Sequence, residues 1–336
     1  MLVGNHHFDC PVFLAPMSGT TDGAFRRHAS RLGADVVVTE MVASGELATG
    51  NLASQRRLYR FVDEAGPFIV QLAGREAHWM KLAAQQCKAA GAEVIDINMG
   101  CPARKVTGGR SGAALMRDLD IARSLIAATM EGADGAVTLK MRLGWDVDSI
   151  NSPELASIAQ AEGVSMITVH GRTRNQFYEG HADWSMVRDV VDAVSIPVIV
   201  NGDISNAANA RRAMEMSGAD GVMVGRAAVG RPWLPGQVSA ALNGREIRIF
   251  SLEAQLNILV ELVDDACTLY GRSLGVRVVR KHISEYLETC DHIKDDVTRK
   301  SLKRHYCRIP CPDTLIEELN NFPERCDGSR TLEVAC

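Results

Sequence analysis

The stretch EAHWMKLAAQQCKAAGAEVIDIN, Glu76 to Asn98, decides the fold. Its first part places Trp79, Leu82, Ala83 and Cys87 or Gln86 on one helical face, so Glu76–Ala90 reads as an amphipathic helix. Gly91 follows, and a glycine there can take the left-handed conformation that stops a helix. Val94–Ile97 is a short apolar run with β-branched residues, and it ends on the polar Asn98. Helix, glycine turn, strand and polar ending form one unit.

That unit recurs along the chain. The same connection appears as Gly33-Ala34-Asp35, Gly91-Ala92-Glu93, Gly132-Ala133-Asp134 and Gly218-Ala219-Asp220, and Asp118–Met130 and Ser205–Met216 carry the same helical spacing as Glu76–Ala90. Strands are predicted at Val12–Ala15, Val36–Thr39, Phe68–Val70, Val94–Ile97, Val137–Leu139, Met166–Val169, Pro197–Val200 and Gly221–Val224. They are apolar on both sides, as parallel strands covered by helices must be. Repetition of one βα connection argues against a Greek key or a helix bundle and for a (β/α)8 TIM barrel, an α/β fold. The runs finish at Met17, Glu40, Gln71, Asn98, Lys140, His170, Asn201 and Arg226. In such a barrel these endings share one rim, and chemistry sits on that rim.

The alternation stops near Asn243-Gly244. Glu253–Tyr270, Gly275–Leu287 and Asp295–Arg304 read as helices with no strands between them. The predicted organisation is a barrel domain at 1–243, a small C-terminal helical domain at 244–322 with Asn243–Phe250 as its linker, and a tail at 323–336 open to disorder.

Bulk properties exclude several classes. No apolar run approaches the roughly 18 residues of a membrane span, and Met1–Cys10 lacks the apolar stretch of a signal peptide. The nine cysteines are odd in number and scattered through 336 residues, which argues for reduced thiols in a cytoplasmic setting. Cys307 and Cys311 are too few for a structural zinc site, so no metal is expected. The net charge of −4 carries no sign of nucleic acid, yet ten Lys and Arg face five acids between Arg272 and Arg308. Arg104, Lys105, Arg110, Arg142, Arg172 and Arg174 follow strands four to six. Solvated helix faces explain most charge runs, but one-signed excess beside a basic rim points to a polyanionic substrate. Phe177, Tyr178 and Trp184 near that rim either stack on bases or cover the barrel.

The rim residues suggest the ligand. Asn201-Gly202-Asp203 and Gly225-Arg226 follow strands seven and eight, where many barrels hold a phosphate on backbone N–H groups. Tight turns alone would also explain the glycines; Arg226 favours the anion. Gln71, Asn98, Lys140 and His170 converge from four successive strands, and their donors and acceptors suit a flat heteroaromatic ring such as a flavin. Lys140 has two other readings, a Schiff-base nucleophile and a plain ion pair. Cys101, just past strand four, could be a buried thiol, a proton donor, or a nucleophile activated by Arg104 and Lys105.

Seven strings tie these residues to a family: APMSGTTDGAFR (15–26), INMGCPARKV (97–106), SGAALM (111–116), LKMRLGWD (139–146), VHGRTRNQFYEGHADW (169–184), NGDI (201–204) and VGRAAVGRPW (224–233). They closely resemble the tRNA-dihydrouridine synthases, and VRKH (279–282) resembles that family's bacterial B-type branch. The resemblance implies an FMN-bearing barrel, a helical tRNA-binding domain and NADPH as reductant. It implies reduction of a D-loop uridine to 5,6-dihydrouridine, with hydride passing from reduced FMN to C6 and a proton from Cys101 to C5. By the same resemblance Pro16, Met17, Ser18, Gln71, Lys140 and His170 match FMN-binding positions, as do Asn201, Gly202, Asp203, Gly225 and Arg226. Asn98, Lys105 and Arg172 match positions near the uracil or tRNA. No membrane and no obligate protein partner is implied. The cysteines of the tail, Cys307, Cys311, Cys326 and Cys336, depart from the family pattern and are expected to be free thiols. Three alternatives remain: an FMN barrel acting on a free small molecule such as a pyrimidine, a Schiff-base lyase using Lys140, and a non-catalytic RNA-binding barrel.

Overall fold

The computed structural model describes residues 1–323. These fall into two units: Met1–Ala228 with Trp233–Glu246, and Val229–Pro232 with the residues from Ile247 on. Of the expected tail at 323–336, residues 324–336, and with them Cys326 and Cys336, lie outside the described residues.

In the first unit β1 (Leu2–Val3) and β2 (His6–His7) form an antiparallel hairpin. The remaining strands are β3 (Val12–Leu14), β4 (Val36–Val37), β5 (Val42–Ala43), β6 (Ile69–Ala73), β7 (Val94–Met99), β8 (Ala136–Arg142), β9 (Met166–His170), β10 (Val198–Asn201) and β11 (Gly221–Val224). They form one sheet in the order β4-β3-β11-β10-β9-β8-β7-β6-β5. Every pairing in it is parallel. Val38 bridges Ile69 in parallel, and the Thr39 N–H donates to the Ile69 carbonyl at 3.1 Å. The sheet therefore curls until β4 meets β6. β4 and β5 are two halves of the second barrel strand, so the architecture is the expected (β/α)8 barrel with one strand broken.

The break corrects the single strand Val36–Thr39. The strand ends at Val37, the pairing with β6 runs on to Thr39, and strand resumes at Val42; between them side chains take over. Thr39 Oγ1 accepts the Gln71 N–H at 3.1 Å, and the Glu40 carboxylate turns to accept the Gly19 N–H.

Inward side chains are arranged in layers. Val3, Phe13, Val36, Ile69, Val94 and Ile199 belong to a buried apolar cluster at the strand N-termini, with Met1 and Phe8 from the hairpin segment packed against it. A strand repeats its facing every two residues. Two positions along the same face stand Gln71, Asp96, Thr138 and Asn201, and two further come Asn98 and Lys140. The barrel interior is thus apolar at the bottom and polar towards the rim.

The repeated connection is more specific than a helix stop. Gly33, Gly91 and Gly218 have φ of +99°, +91° and +72°, as helix-terminating glycines do. Gly132 does not: the helix Leu119–Ala133 runs through it and the left-handed residue is Asp134, φ +42°. A Cβ on Gly132 would strike the Lys81 carbonyl oxygen, so this glycine serves close packing between helices. The acid of the motif also acts. Asp35 accepts the Val12 N–H at 2.9 Å, Glu93 the Phe68 N–H at 3.0 Å and Asp220 the Val198 N–H at 2.9 Å. Each staples the start of the preceding strand, where the ladder leaves a donor open.

In the second unit the helices are Leu252–Tyr270, Arg272–Thr289, Asp296–Tyr306 and Pro312–Asn320. Val263, Val279, Leu287, Tyr306, Leu315 and Phe322 are buried in its core. Gly230 lies so close to Tyr286 that an added Cβ would meet its N–H at 2.5 Å, which explains why Val229–Pro232 belongs to this unit. Two of the ten cations counted in the sequence are internal. Arg280 donates to the Ile309 carbonyl at 3.0 Å, and Arg299 to those of Leu287 at 2.7 Å and Ile293 at 2.9 Å. Arg272 and Lys303 pair with Asp313 and Glu288. Arg277, Lys300, Arg304 and Arg308 stand exposed. Among the described residues no helix is long and apolar enough to cross a membrane, and no cluster of three His, Cys, Asp or Glu is placed to hold a metal.

Candidate active site

The rim is built on β6 to β11, and several of its residues lie inside the strands instead of past them. Gln71, Asn98 and Lys140 fall within β6, β7 and β8, because these strands run further than the apolar runs that announce them. His170 and Asn201 are the last residues of β9 and β10. Placement on strands fixes their backbones through ladder hydrogen bonds.

Gln71 is fully buried and Asn98 nearly so. Asn98 Nδ2 donates to Gln71 Oε1 at 2.7 Å. Asn98 Oδ1 accepts the N–H groups of Gly100 at 3.2 Å and Cys101 at 3.0 Å. Asn98 is therefore the bracket that holds the Cys101 loop. Arg142 clasps the other side, donating to the carbonyls of Gly100 at 2.8 Å, Thr173 at 2.8 Å and Phe177 at 2.9 Å. The Cys101 carbonyl accepts the Ala113 N–H at 3.1 Å. Gly112, φ +61°, presses on this turn: a Cβ there would lie 2.8 Å from the Cys101 carbonyl oxygen and 3.1 Å from Cys101 Cβ. The thiol is half-buried.

Lys140 Nζ donates to Asn201 Oδ1 at 3.1 Å, and Asn201 Nδ2 donates to the Met223 carbonyl at 2.8 Å. Burial, then the neighbouring Arg142 charge, lower the Lys140 ammonium to about 8, while Asp96 and Cys101 act to raise it. The Cys101 loop thus begins beside Lys140, which pairs with Asn98 across β7 and β8, and Arg142 reaches its Gly100 carbonyl. Lys140 has no direct carboxylate partner within ion-pair distance among the described residues, so the plain ion-pair reading is not met. His170 is pushed well below the ordinary imidazole range by burial and by Arg142 and Lys140. It is neutral at pH 7, and its Nδ1 is buried without a hydrogen-bond partner.

The last two loops carry charge. Arg172 is buried and donates to the Glu179 carbonyl at 3.0 Å, the Gly180 carbonyl at 2.7 Å and Asp203 Oδ2 at 2.7 Å. Burial acts to raise Asp203, but the Ala182 N–H and Arg172 outweigh it and hold the carboxyl below the usual range. Arg226 Nη2 stands 3.7 Å from Asp203 Oδ1, with the guanidinium stacked on Tyr178 at 4.6 Å. Arg172 takes Asp203 Oδ2 at 2.7 Å, and Arg226, farther from Asp203 Oδ1, remains exposed. Gly202 and Asp203 both have positive φ, +114° and +55°. A Cβ on Gly225 would meet nothing nearer than Ala15 Cβ at 4.0 Å. Its backbone is therefore open to a ligand. Pro16, Met17 and Ser18 follow β3 next to it, with the Met17 N–H held by Thr21 Oγ1 at 2.8 Å.

The structure thus joins Gln71, Asn98 and Cys101 in one chain of contacts, Lys140 with Asn201, and Arg226 with Asp203 and Arg172. Lys105 is not tied into them. It lies exposed on the short helix Arg104–Thr107, which Arg174 connects to the β9 loop through Thr107 Oγ1 at 3.2 Å. Arg142 and Arg172 qualify the basic rim expected from the sequence. Both are 1–2% exposed and brace loops. Trp184 covers the barrel, its Nε1 donating to the Gly202 carbonyl at 2.8 Å, whereas Tyr178 stays 52% exposed. The sequence reading missed Asp96, Thr138 and Gly112. A lone carboxylate inside the buried strand VIDIN was the signal for the first.

The family model of dihydrouridine synthases matches residues 13–307. The chain belongs to the dihydrouridine synthase family. Membership bears out the resemblance and with it an enzyme of the oxidoreductase class. A probable tRNA-dihydrouridine synthase from Rhodobacter capsulatus is 52% identical over 281 residues, 83% of this chain and 87% of the relative. The tRNA-dihydrouridine synthase B of Pseudomonas putida is 41% identical over 289 residues, 85% of each chain, which supports placement near the B-type branch. Among solved structures, a 2-naphthoyl-CoA reductase aligns with a TM-score of 0.58 at 12% identity, covering 73% of this chain and 52% of that one. Histamine dehydrogenase from a Rhizobium species aligns at 0.54 and 15%, covering 79% and 50%. At these identities they show the shared barrel alone.

The residues present fit the flavin that the family reading implies. An unmet buried polar atom costs about 1–3 kcal/mol, and a ligand acceptor or donor at His170 Nδ1 removes that cost. Lys140 would supply a cation for a ring that becomes anionic on reduction, Arg226 would supply one for a phosphate, and Gly225 would offer an uncovered backbone.

Proposed function

We propose that the protein reduces a D-loop uridine of tRNA to 5,6-dihydrouridine, with FMN at the rim and NADPH as the reductant. The observation that carries this reading is the Cys101 loop, held by Asn98 and Arg142 just past the point where Asn98 pairs with Lys140 across β7 and β8. Lys140, His170, Asn201 and Gln71 hold the ring, and Arg226 with the backbones of Gly202, Asp203 and Gly225 holds the phosphate. Pro16, Met17 and Ser18 border it. When bound, FMN supplies the hydride that the uracil takes at C6, and NADPH restores it.

The chain's own chemistry is proton delivery. Hydride addition at C6 leaves enolate-like charge on the uracil, and the Cys101 thiol gives C5 its proton, so that one hydride and one proton saturate the 5,6 bond. A positioned acid contributes roughly 10²–10⁴-fold. The base must leave its stack to reach the rim. Asn98, which brackets the thiol loop, and Arg172, whose Nη1 has no internal partner, border the uracil in this reading. Lys105, exposed beside the loop, meets a tRNA phosphate, as do the exposed cations of the helical unit. Family membership and the half-buried thiol support this reading over a lyase using Lys140.

The test is Cys101→Ala. The variant should keep its flavin and the reduction of that flavin by NADPH, while dihydrouridine formation in tRNA, read by nucleoside mass spectrometry, falls at least a hundredfold. Full turnover by the variant removes Cys101 from the role of acid.

A further inference from the structure

We infer that Asp96, a buried carboxylate below the rim, is a positioning residue: it sets the direction of a hydrogen-bond relay that aims Cys101. The inference rests on the reading of Cys101 as the acid. The relay is continuous. Thr138 Oγ1 donates to Asp96 Oδ1 at 2.7 Å, and Gln71 Nε2 donates to Asp96 Oδ2 at 2.7 Å. Asn98 Nδ2 donates to Gln71 Oε1 at 2.7 Å, and Asn98 Oδ1 accepts from Gly100 and Cys101.

Two amide side chains sit in the middle of this relay. An amide has a donor end and an acceptor end of nearly the same shape, so packing does not choose between its two orientations. The fixed groups at either end choose. The N–H groups of Gly100 and Cys101 can only donate, so Asn98 must turn its oxygen to them. Asp96 Oδ2 accepts, so Gln71 must turn its NH2 down. A flip of Gln71 alone sets oxygen against oxygen below and NH2 against NH2 above. A flip of both amides sets the Asn98 NH2 against two N–H groups. Only the observed arrangement leaves every member paired, and partly satisfied buried networks are unstable. Asp96 lies two residues before Asn98 on β7, facing the same way, and so anchors from below what the Cys101 loop anchors from above.

A rival role for Asp96 is a counter-charge for Lys140, on which it acts electrostatically. Two substitutions separate the roles. Asp96→Asn keeps an oxygen for Gln71 and offers its NH2 to Thr138 Oγ1, so the relay direction survives while the charge is lost. Asp96→Ala removes the lower anchor. Catalytic groups lose about a hundredfold for 1 Å of misplacement, so Asp96→Ala should slow single-turnover tRNA reduction about tenfold and Asp96→Asn should stay within about threefold of the parent. A second readout needs neither flavin nor tRNA: alkylation of Cys101 by iodoacetamide in flavin-free protein, followed by peptide mass spectrometry. Its rate should change severalfold in Asp96→Ala and not in Asp96→Asn. If Asp96→Ala does not fold, Thr138→Val, which releases the Asp96 rotamer, should show the same changes more weakly.

Asp96→Asn as damaging as Asp96→Ala makes Asp96 a counter-charge and overturns the inference; so does a harmless Asp96→Ala. The Cys101→Ala background tells the two readings apart. There Asp96→Ala should cause no further loss. Full turnover by Cys101→Ala alone sinks the acid assignment. Loss in Cys101→Ala, with Asp96→Ala adding its own tenfold on top, keeps the acid and sinks the relay.

Discussion

Gly112→Ala tests how tightly the Cys101 loop is specified. Gly112 has φ +61°, and the left-handed region costs an L-residue about 1–2 kcal/mol. The new methyl would also sit 2.8 Å from the Cys101 carbonyl oxygen and 2.9 Å from Val106 Cγ1, closer than real carbon contacts allow. Asn98 and Arg142 hold the Cys101 side of this turn, so the strain is relieved by moving the turn off its seat. If the 1–2 kcal/mol strain sets the balance between seated and displaced loops, the seated fraction falls about five- to thirtyfold. Single-turnover oxidation of pre-reduced flavin by tRNA should slow by that factor. Flavin content and flavin reduction by NADPH should not change, because neither uses the Cys101 turn. Parent-like tRNA reduction in Gly112→Ala would refute the reasoning, and so would equal loss in both half-reactions.

Arg226→Ala should weaken FMN retention about tenfold or more, seen as flavin lost on gel filtration, since the variant removes the exposed guanidinium beside Asp203. Unchanged affinity would put the phosphate elsewhere. Lys140 carries its charge below about 8, its burial-lowered value, and loses it above. Binding of reduced flavin should therefore decline as pH rises through 8, and Lys140→Met should bind it weakly and without that inflection in spectroscopic titrations. Asp203→Asn leaves the buried Arg172 with carbonyl partners only. Removing one partner of a fully buried pair costs about 3–5 kcal/mol, and with the Asp203 side chain 27% exposed a loss of about 2 kcal/mol is expected in urea unfolding. The Asp203 carboxyl is held below its ordinary range, so its stabilisation is present above the unfolded carboxylate range near 3.9 and lost as pH falls through the lower folded value. The parent and Asp203→Asn should thus differ at pH 7 and converge in acid; a gap that persists at pH 2 contradicts this.

Local pattern was enough for much of the molecule. Gly-Ala-Asp/Glu after several helices, with strands apolar on both faces, leaves few architectures open, because one repeated βα unit can only bury its faces by closing or continuing a parallel sheet. The rim residues follow from that closure, since each strand ending is local and the barrel collects them. Short strings such as INMGCPARKV were specific enough to point to the family. What the pattern could not carry was the partner of each buried polar group. Arg142 and Arg172 read as free basic residues, yet long-range pairing commits them to carbonyls and to Asp203. Gly132 reads as a helix stop, and the neighbouring helix makes it a packing glycine. The second strand reads as continuous, but Thr39 and Glu40 take backbone donors from β6 and from the loop after β3. Asp96 stands in plain view within VIDIN, and only the alignment of β6, β7 and β8 sets Gln71 on one side of it and Thr138 on the other. A side chain's type and facing are written along the chain; the group it meets across the barrel exists only once distant strands are in register.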